Sequence, residues 1–103
     1  MPIAQIVTYL RPNIDTSFYP DVLKSIVADH VRDSYIATGK LISRTSVLSP
    51  DGLTKTVTLV FDNQISLDDY LLDEVIANSQ WYRDRQIYCE KYNILVSVSQ
   101  QPT

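Results

Sequence analysis

Residues 41 to 61 carry the pattern that most restricts what this chain can fold into. Leu41 to Leu48 is a strand-like run, Ser49-Pro50-Asp51-Gly52 interrupts it, and Leu53 to Phe61 resumes it, so the segment reads as a β-hairpin. Its second strand alternates, with Val57, Leu59 and Phe61 on one face and Thr54, Thr56 and Thr58 on the other. A hairpin of this kind in the middle of a short chain leaves only the two flanks to complete the sheet and cover it.

The N-terminal flank begins with Ile3 to Leu10, rich in β-branched and aromatic residues and closed by Arg11-Pro12-Asn13, which predicts a strand and a turn. Ser17 is placed to cap a helix that Pro20 enters near its first turn, and Asp21 suits the positive end of the helix dipole. At about 100° per residue Val22, Leu23, Ile26, Val27, His30 and Val31 form one broad stripe, so an amphipathic helix is expected to run to about Thr38 and end at a left-handed Gly39. In the C-terminal flank, Ser66-Leu67-Asp68-Asp69 resembles a capping box with Asp in place of Glu or Gln. The helix it opens meets Asn78-Ser79, where a break is expected, and a second segment continues to about Tyr92. Ile94 to Ser99 reads as a last strand and Gln100 to Thr103 as a short tail.

The order is therefore β-α-β-β-α-β, the split βαβ arrangement of the α+β ferredoxin-like fold: a four-stranded antiparallel sheet with two helices on one face. A chain of 103 residues forms one domain, residues 1 to 103, which buries roughly 65 % of the surface its unfolded chain exposes. One modest core is all this permits. The other sheet face is left bare, and Val7, Tyr9, Val96 and Val98 are expected to make it too apolar for water, so that pairing with a second copy into a homodimer is the simplest remedy.

Charge and cysteine content exclude several function classes. Nine Lys and Arg against twelve Asp and Glu give a net charge of −3, which opposes the electrostatic attraction that dominates nucleic-acid binding. No apolar run approaches the roughly 20 residues of a membrane span, and no basic flank leads into an apolar core at the N-terminus, so no membrane partner and a cytoplasmic location are expected. One Cys and one His supply neither a disulfide nor a conventional metal site, and both glycines are used by turns, leaving no Gly-rich phosphate loop; no cofactor is expected.

The segment "NSQWYRDRQIYCEKY", residues 78 to 92, holds four of the ten aromatic side chains, the only Trp and the only Cys. Trp81, Tyr82, Tyr88, Cys89 and Tyr92 continue the helical stripe of Leu67, Tyr70, Leu71 and Val75, so packing accounts for the cluster. Leu72, Ile76 and Ile87 lie on the opposite side and point to contact with a partner chain. Arg85 falls inside the stripe, where it either pairs with a carboxylate such as Glu74 or holds an anionic ligand. His30, mid-stripe on the first helix and facing the sheet, reads first as a hydrogen-bonded structural residue, and second as a general acid/base or ligand anchor in a pocket lined by Tyr35, Tyr70 and Tyr82. Nothing beside Cys89 in sequence makes it a thiolate nucleophile.

The element order, the long first helix "SFYPDVLKSIVADHVRDSYIATGKL", the hairpin, and a second helix broken at Asn78-Ser79 and ending in "YCEKYNILVSV" together resemble a dimeric α/β barrel domain, similar to antibiotic biosynthesis monooxygenase-like proteins, over about residues 3 to 99. The resemblance implies a pocket between sheet and helices and a cofactor-independent oxygenase, an isomerase or a protein without activity. Two readings follow from different classes. One is a non-catalytic homodimeric accessory or interaction protein; the other is a small-ligand-binding protein or monooxygenase/isomerase-like enzyme that takes a small apolar or aromatic ligand near His30. An RNA-recognition domain would need an aromatic, Gly-rich signature where this chain has "TKTVTLVFD", and a metal chaperone a Cys pair where it has "RPNIDTS".

Overall fold

Four strands form a single antiparallel sheet: β1 (Ile3–Leu10), β2 (Leu41–Leu48), β3 (Thr54–Phe61) and β4 (Leu95–Pro102), in the order β2-β3-β1-β4. The computed structural model describes residues 1–18, 26–77 and 79–103, without the side chains of 26–29, 74–77 and 79. Within these lie helices α1 (Ile26–Ala37), α2 (Gln64–Ala77) and α3 (Ser79–Lys91). The expected start of the first helix, with Pro20 and Asp21, and the expected break at Asn78 lie outside the described residues.

Local chemistry accounts for the boundaries. Gly39, at φ +77°, ends α1 in the left-handed cap that its position predicts: Lys40 N–H donates to the Tyr35 carbonyl at 3.0 Å and Gly39 N–H to the Ile36 carbonyl at 3.1 Å. The hairpin turn is held by Ser49 and Asp51, whose side chains accept the N–H groups of Thr54 and Leu53, each at 3.0 Å. Two boundaries differ from expectation. Asn63, not Ser66, caps α2, accepting the Ser66 N–H at 2.9 Å, and Ser66 is buried inside the first turn. And Gln100, Gln101 and Pro102 form no tail: they pair with Gln5, Ala4 and Ile3 as the end of β4. Helix α3 ends at Lys91, within a residue of expectation, and closes on Asn93, at φ +58°, with Ile94 N–H donating to the Cys89 carbonyl at 2.8 Å.

Residues paired across an antiparallel ladder share a face, so the register decides which side of each strand the helices cover. Ile3, Gln5, Val7 and Tyr9 pair with Phe61, Leu59, Val57 and Lys55, which puts the odd positions of β1 beside the apolar side of β3. Two core clusters form there. One gathers Tyr35, Leu41, Phe61, Leu67 and Tyr70; the other gathers Tyr9, Phe18, Cys89 and Ile94, with Val7, Val57, Trp81 and Tyr88 against it. Val7, Tyr9, Val96 and Val98 therefore belong to the helix-covered side, not to the bare face where the sequence alone had placed them. The bare face carries the complementary set, Ile6, Thr8, Thr56, Thr58, Val60, Ser97 and Ser99.

Two tyrosines tie the layers together. Tyr35 Oη donates to Asp73 Oδ2 at 2.5 Å, joining α1 to α2, and its ring meets Tyr70 edge-on with centroids 5.2 Å apart. Tyr88 Oη donates to the Ser17 carbonyl at 2.7 Å, joining α3 to the loop after β1. Arg11 fastens that loop to the hairpin by donating from Nε to the Gly52 carbonyl at 2.8 Å while its guanidinium lies 4.5 Å from the Phe18 ring centroid.

Candidate functional site

Among the described residues the two core clusters are separate. Between them, under α2 and α3, lies a cavity of about 340 Å³ whose floor is the covered face of the sheet and whose walls include Tyr70, Leu71, Trp81, Tyr82 and Arg85. Gln5 stands at the centre of the floor. Along β1 it lies between Ile3 of one cluster and Val7 of the other, and across the sheet it is flanked by Leu59 and Gln100. It is only 6 % exposed, and its Oε1 is buried with no hydrogen-bond partner among the described residues.

A β-bulge shapes one rim. The register of β2 shifts between Leu41 and Ser43, so Ile42 is an extra residue and Arg44, rather than Ser43, stands opposite Leu59. This turns Arg44 toward the cavity, which it lines together with Arg32, Lys55 and Arg85. Arg85 is held by its neighbours: Nη1 donates to Tyr9 Oη at 3.3 Å, and the guanidinium sits 4.9 Å from the Tyr82 ring centroid and 5.5 Å from that of Trp81. Tyr82 and Arg85 also border a second, more open groove of about 420 Å³ between α3 and β4.

Of the residues singled out from sequence, Tyr70, Tyr82 and Arg85 line the cavity; Tyr35 and His30 do not. Tyr35 is buried on the far side of Tyr70's cluster with its hydroxyl engaged by Asp73, and burial, reinforced by that carboxylate, pushes its pKa up to about 12. His30 is exposed, contrary to the expectation that it faces the sheet. Val31 and Tyr35, four residues apart, mark the line of α1 that packs, and His30 stands about 100° to one side of it. The alternative partner offered for Arg85, Glu74, has its side chain outside the described residues. Burial also pushes up the Cys89 thiol, an effect that outweighs the opposing influence of Arg85, so Cys89 behaves as a packed apolar residue. Among the described residues no three His, Cys, Asp or Glu side chains converge as a metal site, and no helix is long and apolar enough to cross a membrane.

Gln5, Arg44, Lys55 and Arg32 are cavity residues that sequence reasoning missed. A signal existed for Gln5, the one polar residue in the alternating set Ile3, Gln5, Val7, Tyr9. None existed for Arg44, whose orientation depends on the bulge.

The arrangement of strands and helices is shared with solved proteins. The chain has a ferredoxin-like fold. A dimeric ferredoxin-like protein from an uncultured marine organism superposes with a TM-score of 0.59 at 7 % identity, covering 97 % of this chain and 92 % of that one. A second protein of the same description, also from an uncultured marine organism, gives 0.59 at 11 % identity, covering 98 % and 93 %. At these identities the likeness is one of fold. No protein-family model matches the chain, and no curated protein matches it.

Proposed function

We propose that this protein is a homodimeric small-molecule-binding protein that does no chemistry of its own. The observation that carries the reading is the cavity of about 340 Å³ between sheet and helices, which lies in the usual range for small-molecule sites and has aromatic walls with a few polar groups converging on it. A binding role is favoured over a catalytic one by the kinds of residue at the cavity. Its polar lining groups among the described residues are tyrosines, Gln5, Lys55 and three arginines, side chains suited to holding a ligand, and His30 stands elsewhere.

The dimer is proposed from two supports: both fold relatives described above are dimeric, and the uncovered sheet face mixes Ile6, Val60 and an outward Leu10–Leu95 pair with Thr and Ser. Closing that face against its copy removes these side chains from water while leaving both cavities on the outside of the paired sheets. Exposed Leu72 and Ile87 extend the apolar surface on the helix layer.

Native mass spectrometry tests both parts. The expected species is a dimer of the 11.8 kDa chain, and a thermal-shift screen of small aromatic compounds is expected to find ones that raise the melting temperature. Val60→Lys should convert the dimer to a folded monomer. A wild-type chain that stays monomeric at high concentration removes the dimer, and a screen in which nothing shifts the melting temperature removes the ligand site.

A further inference from the structure

Resting on the reading of the cavity as a ligand site, we propose that its ligand is a flat organic carboxylate that also carries a hydroxyl or amino hydrogen-bond donor. Three observations carry this, each independent of the others.

The first is charge. Four of the nine Lys and Arg side chains, Arg32, Arg44, Lys55 and Arg85, line this one cavity in a chain whose net charge is −3; Arg32 is paired with Asp33 at 3.5 Å, while Arg44 and Arg85 have no ion pair among the described residues, and no carboxylate lines the cavity among them. Low-dielectric walls focus the field of such a group of cations and raise the local concentration of anions. Arg85 makes no ion pair among the described residues, and its one hydrogen bond, to Tyr9, leaves most of the guanidinium fork unspent. Contact with Trp81 and Tyr82 fixes the plane of that fork, which suits it to two-point recognition of a carboxylate.

The second is Gln5. A buried carbonyl oxygen without a partner costs about 1–3 kcal/mol, and here it belongs to a cavity-lining side chain in the middle of an otherwise apolar row. The oxygen has no exposed surface as it stands, and a turn of the side-chain amide would bring it to a donor on the ligand. The third is the backbone. Where phosphate groups are cradled, successive free N–H groups usually contribute; here most of the cavity floor is β1 and β3, interior strands whose N–H groups are taken by the ladders on either side, and the edge strands contribute Arg44 and Val98. Only side chains are left to meet the anion, and guanidinium forks beside aromatic walls favour a planar carboxylate over a phosphate.

The test is isothermal titration of the purified protein with 2-, 3- and 4-hydroxybenzoate, the matching neutral hydroxybenzamides, benzoate, and phenyl phosphate. At least one hydroxybenzoate is expected to bind about tenfold or more tightly than its amide, the scale of one charge-assisted hydrogen bond, and to weaken as salt is raised. Arg85→Met should remove most of that preference, and Arg44→Met, on the exposed edge strand, should reduce it without touching the aromatic wall. Gln5→Leu should erase the advantage of the hydroxybenzoate over benzoate while keeping the preference for anions. Circular dichroism confirms that each variant is folded. Amides that bind as well as the acids overturn the carboxylate while leaving the cavity as a ligand site, and tighter binding of phenyl phosphate replaces it with a phosphate ester. If neither acids nor amides nor phosphate bind, the ligand site itself is wrong and this inference falls with it.

Discussion

Two neighbouring cross-strand rows on the covered face of the sheet have opposite fates. Leu41, Phe61, Ile3 and Pro102 form one row, and Arg44, Leu59, Gln5 and Gln100 form the next, two residues or about 7 Å further along the strands. Around Leu41 and Phe61 of the first row the packing is close: Phe61 and Leu67 are wholly buried and Leu41 is 1 % exposed, while Pro102 at the sheet edge is exposed. In the second row Arg44, Leu59 and Gln5 line a cavity. Helix α2 reaches over both, with α1 beside it at the first row and α3 at the second, and the side chains of the two rows differ sharply. Three of four positions in the second row are polar, and a core cannot close over polar groups without partners for them. The sheet thus uses one row to hold itself together and the adjacent one to hold something else.

The largest effect should come from emptying the packed row. Phe61→Ala is expected to lower stability by about 3–5 kcal/mol in urea unfolding, because the site is bounded by Leu41, Leu67 and Tyr70 and cannot collapse freely. A loss below about 1 kcal/mol would mean that the first row is no better packed than the second. The converse change closes the open row. Gln5→Leu removes the unpartnered amide and should raise stability by about 1–2 kcal/mol; a loss instead would show that the amide is satisfied in solution by water, and that the row is wet by design.

Smaller effects should come from the clamps that hold α1 and α2 over the packed row. Tyr35→Phe, which deletes the hydrogen bond to Asp73, is expected to cost about 1 kcal/mol at neutral pH. The phenol carries a raised pKa in the fold, about 12 against the ordinary 10.0, so the neutral form is the one the fold favours. Its contribution is fully present below pH 10 and lost as pH rises from 10 through about 12. Measured by urea unfolding across that window, wild type should lose stability faster than Tyr35→Phe; parallel curves would mean that the hydroxyl is not engaged. Asn63→Ala, which removes the cap of α2, should cost about 1 kcal/mol or slightly less and leave cavity binding unchanged.

The sequence makes the packed row far more readable than the open one. Alternation through Val57, Leu59 and Phe61 marks the covered face of β3 directly, and the Gly39 and Ser49-Pro50-Asp51-Gly52 signals place the boundaries of the hairpin and of α1. On β1 both alternating sets are apolar, Ile3, Val7 and Tyr9 against Ala4, Ile6 and Leu10, so composition alone does not choose a side; pairing with β3 does. The same ambiguity hides the site. Tyr70, Tyr82 and Arg85 reach the cavity because a helical stripe was enough to locate them. His30 does not, because a stripe drawn over six positions was wider than the line that packs. Asn63 is a capping residue whose chemistry was visible but which stood next to a stronger signal, Ser66. Arg44 was invisible in principle, since strand period predicts a side only while the register stays unbroken.

That break in register has a consequence for how the protein can change over generations. Deleting a residue from the middle of a strand ordinarily sends everything beyond it to the wrong side of the sheet. In β2 the surplus has already been absorbed at Ile42, so loss of that residue would restore a regular ladder, with Leu41 still opposite Phe61 and Arg44 still opposite Leu59. Relatives one residue shorter at this point would keep the same rim of positive charge, whereas a single-residue deletion anywhere from Arg44 to Leu48 would either carry the bulge with it or scramble the strand. Length variation inside an edge strand, usually a mark of damage, is at this one position compatible with an unchanged site.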